Sequence, residues 1–143
     1  MADKSRKNKD VVTAFYNDVF IRHDMTRLDT YMRDDYIQHN QDCPQGKIGF
    51  IKFFKEIFGA VPDFTYILKK MVAEGDIVMA FSRTMGTHSG GEWLGKEADG
   101  APLDYDVVDI FRVQDGKIAE HWDVADTFTF FRQLGVIEQR MKA

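Results

Sequence analysis

The sequence predicts an α+β fold in which a curved antiparallel sheet wraps around N-terminal helices. Three observations point to it. Apolar residues recur at helical spacing through the N-terminal part of the chain, whereas from residue 64 onward they alternate with polar ones over four runs. Those runs are joined in pairs by the short turns Glu74-Gly75-Asp76 and Asp115-Gly116. Helices kept apart from a run of neighbouring strands let one sheet face cover one helical layer.

The elements follow in order. Residues 1–10 are polar and read as a flexible tail, leaving 11–143 as a single domain. Val12, Phe15, Tyr16, Val19 and Phe20 mark an amphipathic helix from Val11 to about Arg22. A second short helix is predicted over 26–32, with Leu28 and Tyr31 inward, and an extended segment over 34–40 in which Ile37 and His39 share a face. Phe50, Ile51, Phe54, Ile57 and Phe58 trace a helix over 47–58 that Gly59 is placed to end. Strands are expected over 64–73 and 77–87. A Gly-rich loop carrying Trp93 then leads to a third strand from Leu103. A loop this long in a small domain is a candidate lid. Asp126-Thr127 offers an N-cap for a last helix through Phe130, Phe131 and Leu134, which Gly135 would stop.

Composition narrows the classes of function. At 143 residues with 44% hydrophobic residues, the chain can bury the core of one domain without disulfides. Twelve Phe and seven Met suggest an aromatic, adaptable interior suited to a flat apolar ligand, with Tyr16, Phe54 and Phe111 among its lining. A net charge of -4 disfavours nucleic acid, which calls for clustered Lys and Arg. The single Cys43 completes no thiol or metal motif, and no stretch is long and apolar enough to span a membrane. A cytoplasmic protein is expected.

The segment around the Asp115-Gly116 turn carries the candidate chemistry. On its first arm Val107, Asp109, Phe111 and Val113 share one face; on its second, Ala119, His121 and Asp123 do so, with Ile118, Glu120 and Trp122 opposite. A carboxylate among bulky apolar neighbours on each arm is out of place unless that face lines a pocket. The other reading of Asp109 is an interior carboxylate tied to Arg112, Arg83 or a tyrosine. Apolar residues on both faces also predict a homodimer through the outer face that bears Trp122.

Four motifs carry a family resemblance: Y-I-Q-H-N at 36–40, G-T-H-S-G at 86–90, D-I-F-R-V-Q-D-G-K-I-A-E-H-W-D-V at 109–124 and Q-L-G-V-I at 133–137. Together they resemble the SnoaL-like polyketide cyclases and predicted ester cyclases of the nuclear transport factor 2-like and ketosteroid-isomerase-like fold. The resemblance implies a cone-shaped α+β barrel that holds a small hydrophobic ligand at its open end and dimerises through its outer sheet. It implies that Asp123 matches the general acid/base of an intramolecular aldol condensation. Asp109 matches a position that is a histidine in some members, so the cyclases' substrate need not carry over.

The predicted reaction needs a base beside a carbonyl and no cofactor or metal. A carboxylate starts near a pKa of ~4, and burial or a second carboxylate raises it. Asp123, Asp109 and His39 are therefore the candidate catalytic residues, and His88, His121, Asn40, Tyr16, Phe54, Trp93 and Phe111 the candidate ligand contacts, for a small hydrophobic carbonyl compound. The competing catalytic class is a metal centre made of His121-x-Asp123 with His39 or His88, which no paired-histidine motif supports. The competing non-catalytic class is a ligand-binding or dimeric interaction module.

Overall fold

The alternation read from the sequence becomes a five-stranded curved sheet, and the helical stripes become the layer packed on its inner face. The computed structural model describes residues 2–137. In chain order these form α1 (Ala2–Phe15), a π-helical segment (Tyr16–Ile21), a 3-10 turn (Met25–Arg27) running into α2 (Leu28–Tyr31), and β1 (Met32–Gln38). Then come α3 (Gly46–Ala60), β2 (Thr65–Glu74), β3 (Ile77–His88), β4 (Ala101–Gln114), β5 (Lys117–Ala125) and α4 (Thr127–Leu134). The strand order is β1-β5-β4-β3-β2. Strands β2 to β5 pair antiparallel, but β1 lies parallel to β5. The sheet is thus mixed and open, where the sequence suggested a purely antiparallel one. A parallel pair has no connecting turn to announce it, because its strands are joined by a long crossover.

Helix α1 starts nine residues ahead of the predicted Val11, so residues 2–10 are helical where the sequence suggested a flexible tail. This stretch has no apolar stripe to signal it. Its lysines and arginine are good helix formers, an Asp3–Lys7 pair at 3.2 Å adds i,i+4 support, and Asn8 is buried. The apolar stripe follows the expected phase: Val12, Phe15, Tyr16, Val19 and Phe20 are all at most 2% exposed. At Tyr16 the helix widens, and Arg22 N–H reaches back five residues to the Asn17 carbonyl at 3.1 Å.

In α3, Gly59 lies inside the helix instead of ending it, and Val61 N–H closes the last turn on the Ile57 carbonyl. The loop after β3 passes directly over this end. Gly90 N–H bonds to the Ala60 carbonyl at 2.9 Å, and a Cβ on Gly90 would meet the Gly59 carbonyl oxygen at 1.8 Å. Glycine is therefore required at residue 90.

The β4–β5 hairpin turns as predicted, with Asp115 at φ 52° and Gly116 at φ 75°. Val107, Asp109, Phe111 and Val113 all face inward and are buried. The partner strand departs from simple alternation. Arg112 pairs with Glu120, but Val113 pairs with Ile118, so Ala119 is an extra residue and both Ile118 and Ala119 are buried. Ile118 therefore belongs to the core and not to the outer face where alternation put it. Helix α4 is capped as expected: Asp126 accepts the Thr129 N–H at 3.2 Å, and Gly135 ends the helix at φ 93°. Among the described residues no helix is long and apolar enough to cross a membrane.

Candidate functional site

Asp109 and Asp123 are direct partners across the β4–β5 ladder, and Phe111 faces His121 two positions along. Alternation then places all four side chains on the inner face. Asp109 is 2% exposed, which demands partners for its charge. It has two: the Tyr16 hydroxyl donates to Oδ2, and His121 Nε2 lies 2.8 Å from Oδ1. Of the partners the sequence offered for Asp109, a tyrosine is the one found. Arg83 instead forks onto Asp104, and Arg112 pairs with Glu120 at 2.8 Å. Tyr16 reaches Asp109 from the first residue of the π-helical segment, so that irregular stretch delivers a hydroxyl to the sheet. Burial first, and the nearby Asp109 second, push the Tyr16 phenol well above its ordinary value, which keeps it a donor.

The contacts continue onto β1. His121 Nδ1 lies 2.8 Å from Gln38 Oε1, and Gln38 Nε2 donates to the Tyr36 hydroxyl at 2.6 Å. Just past the strand, Asn40 Nδ2 donates to both oxygens of Asp123, at 3.2 and 2.9 Å. Asp123 is half-buried at the edge of the cluster. Loss of solvation raises its carboxyl above the ordinary aspartate value, and Asp109 adds to this, while His121 and Asn40 pull the other way. Burial also raises the phenols of Tyr36, Tyr66 and Tyr105, so the surrounding hydroxyls stay protonated.

Of the sequence-predicted residues, the structure gathers Asp109, Asp123, His121, Asn40, Tyr16 and Phe111 into one cluster. His39 is not among them. Met32, Tyr36 and Gln38 are the buried residues of β1, so alternation turns His39 outward, where it stacks on Trp122 at 4.6 Å and meets Glu120 at 2.6 Å. Phe54 sits behind the cluster, touching Phe20, which packs on Tyr66 beside Tyr16. His88 and Trp93 lie farther along the inner face. Ala80 is the β3 residue opposite Asp109, and His88 is eight residues beyond it. There His88 Nε2 bonds to the Gly91 carbonyl at 2.6 Å, and Trp93 packs on Phe130.

Sequence reasoning missed Gln38 and Tyr36. The available signal was the phase of Tyr36-Ile37-Gln38-His39-Asn40, in which a bulky tyrosine and the asparagine share the side opposite His39.

The metal set drawn from the sequence is not assembled, because His39 and His88 stand apart from His121 and Asp123. Asp109, His121 and Asp123 do bring one potential ligand atom each within 4.8 Å of one another. Both ring nitrogens of His121 are already committed to Gln38 and Asp109, so an ion would have to displace those bonds. Cys43 offers no nucleophile, since burial pushes its thiol up to about 11.

Comparison with known proteins agrees with the fold and the motifs. The profile of the SnoaL-like polyketide cyclases matches residues 10–134, and the chain belongs to that family. Among solved structures, TsrD from Streptomyces laurentii is 27% identical with a TM-score of 0.82, over 92% of this chain and 97% of that one. IdmH from Streptomyces antibioticus, described as a proposed polyketide cyclase, is 28% identical with a TM-score of 0.76, over 90% and 98%. AclR from Streptomyces galilaeus, described as a proposed hydroxylase, shares the fold at 24% identity and a TM-score of 0.84, over 94% and 99%. None of the curated proteins compared with the chain is similar enough in sequence to count as a match.

The raised Asp123 carboxyl has a consequence for stability. The folded state favours its protonated form, a contribution fully present below the unfolded value of about 3.9 and lost as pH rises through the raised folded value. Asp123→Asn keeps an oxygen for Asn40 and removes the charge. Urea unfolding should show its midpoint matching the parent near pH 3 and exceeding it near pH 7; a variant no more stable than the parent near pH 7 contradicts the assignment.

Proposed function

We propose that the protein catalyses cofactor-independent acid/base chemistry, an aldol-type cyclisation or isomerisation, on a small hydrophobic carbonyl or ester compound held against the inner face of the sheet. The observation that carries this reading is the position of Asp123. It is a half-buried carboxyl with raised proton affinity, oriented by Asn40 and set directly across the ladder from Asp109, which is buried and paired with His121. Such a group can take a proton from carbon at neutral pH more readily than an ordinary aspartate.

In the cyclisation, Asp123 removes a proton from the carbon next to a carbonyl and leaves an enolate. The enolate carbon bonds to a second carbonyl carbon of the same molecule, and the alkoxide formed there takes the proton back from Asp123. Atoms and charge balance without a co-reactant. Membership of the SnoaL-like cyclases supports the assignment, and the description of IdmH as a proposed cyclase is consistent with it.

We further propose that a second copy of the chain covers the outer face. The register aligns Val72, Met79, Ile110 and Trp122 in one row across four strands, and Val72 and Met79 are 62% and 43% exposed. Ion pairs flank the row, Arg83–Asp104 toward one end of the sheet and Arg112–Glu120 toward the other. A central apolar strip with a charged rim is the usual anatomy of a subunit interface.

Two outcomes test these readings. Against a panel of β-keto esters and polyketide-like compounds, Asp123→Asn should retain binding and lose about 10²- to 10⁴-fold in turnover. Equal turnover in variant and parent removes Asp123 from the mechanism, and a panel that binds the parent without reacting favours a binding module. Light scattering should give twice the chain mass at micromolar concentration and a single chain for Ile110→Glu; a parent that is monomeric throughout refutes the interface.

A further inference from the structure

We propose that Gln38 is a positioning residue that fixes the tautomer of His121, so that His121 and Asp109 share one proton between Nε2 and Oδ1. One partner of the Gln38 side chain can only donate. The backbone N–H of Asn40 points at Gln38 Oε1 at 3.0 Å, while Gln38 Nε2 donates to the Tyr36 hydroxyl. Turning the Gln38 amide over would set its NH₂ against the Asn40 N–H. The backbone of Gln38 is itself gripped by one side chain: its N–H donates to Gln45 Oε1 at 3.0 Å, and Gln45 Nε2 donates to its carbonyl. The amide therefore has one orientation.

What faces His121 Nδ1 at 2.8 Å is then an acceptor, so Nδ1 carries a hydrogen. A neutral imidazole protonated at Nδ1 has only a lone pair at Nε2. The 2.8 Å contact from Nε2 to Asp109 Oδ1 is a hydrogen bond only with a proton lying between them, on either atom. Asp109 Oδ2 is taken by the Tyr16 hydroxyl, which leaves Oδ1 for this proton. Whether written as imidazolium and carboxylate or as imidazole and carboxylic acid, the buried pair has no net charge. Asp123 therefore faces a neutral, proton-bearing wall and not a second anion.

The tautomer stands on hydrogen-bond geometry alone, and its consequence for turnover rests on the function proposed above. Two-bond ¹H–¹⁵N spectra of protein labelled at the histidine rings read the tautomer directly, with His121→Gln assigning the signals among the four histidines. The parent should show Nδ1 protonated. Gln38→Met, which removes the acceptor, should move the proton to Nε2, and Gln38→Glu, which keeps an oxygen there, should hold it on Nδ1. An unprotonated Nδ1 in the parent, or an unchanged tautomer in folded Gln38→Met, overturns the proposal. If Gln38→Met does not fold, the parent and Gln38→Glu spectra decide. On any substrate that Asp123 turns over, Gln38→Met should lower kcat by about tenfold or more with KM little changed, and Gln38→Glu should restore most of it. A tautomer that moves while kcat does not would separate the geometry from the chemistry and overturn only the link to turnover.

Discussion

A carboxylate sealed inside the inner face of the sheet is the constraint around which the site is built. An unpaired charge at the depth of Asp109 is strongly unfavourable, and its removal from water has to be offset by strong, well-directed hydrogen bonds. Two partners from distant parts of the chain supply them. Tyr16 comes from the widened turn after α1, and His121 from the neighbouring strand. Each is held in turn: Tyr16 by edge-on packing against Phe20, Tyr66 and Phe111, and His121 by Gln38 and by Phe111 at 5.1 Å. The requirement to satisfy one buried group thus ties the first helix, the edge strand and the central hairpin together.

That arrangement puts two aspartates on adjacent strands into different surroundings. Asp109 is enclosed and fully partnered. Asp123, its direct neighbour, is half-buried and, among the described side chains, is hydrogen-bonded only by the Asn40 amide. Environment alone separates them: one is sealed in and fully hydrogen-bonded, the other is left partly open. The phenols of Tyr16, Tyr36 and Tyr66, which are buried, and of Tyr105, which is partly so, are all held protonated and add no charge near the pair.

Much of this was legible in the sequence because strand alternation is a local rule. The placement of Asp109, His121 and Asp123 on one face follows from counting by twos along the arms of the Asp115-Gly116 turn, and the count holds over that span. It fails at Ile118, where a bulge inserts Ala119 and brings a residue of the wrong parity into the core. It failed for His39 for a different reason. The sequence shows an extended segment over 34–40, but its phase depends on which side meets the sheet interior, and that is set by a parallel pairing with β5 that local pattern does not encode. Gln38, the residue that links His121 to this edge, was missed with it. The helical reach of residues 2–10 is not legible in the sequence because this stretch has no apolar stripe.

On the proposed function, Asp123 is the carboxyl set apart for proton exchange. The most direct measurement is the pH titration of its side-chain carboxyl carbon by ¹³C NMR, with Asp123→Asn supplying the assignment. The midpoint should be displaced upward from the ordinary aspartate value. A midpoint at or below that value would show an unperturbed carboxylate and contradict this role.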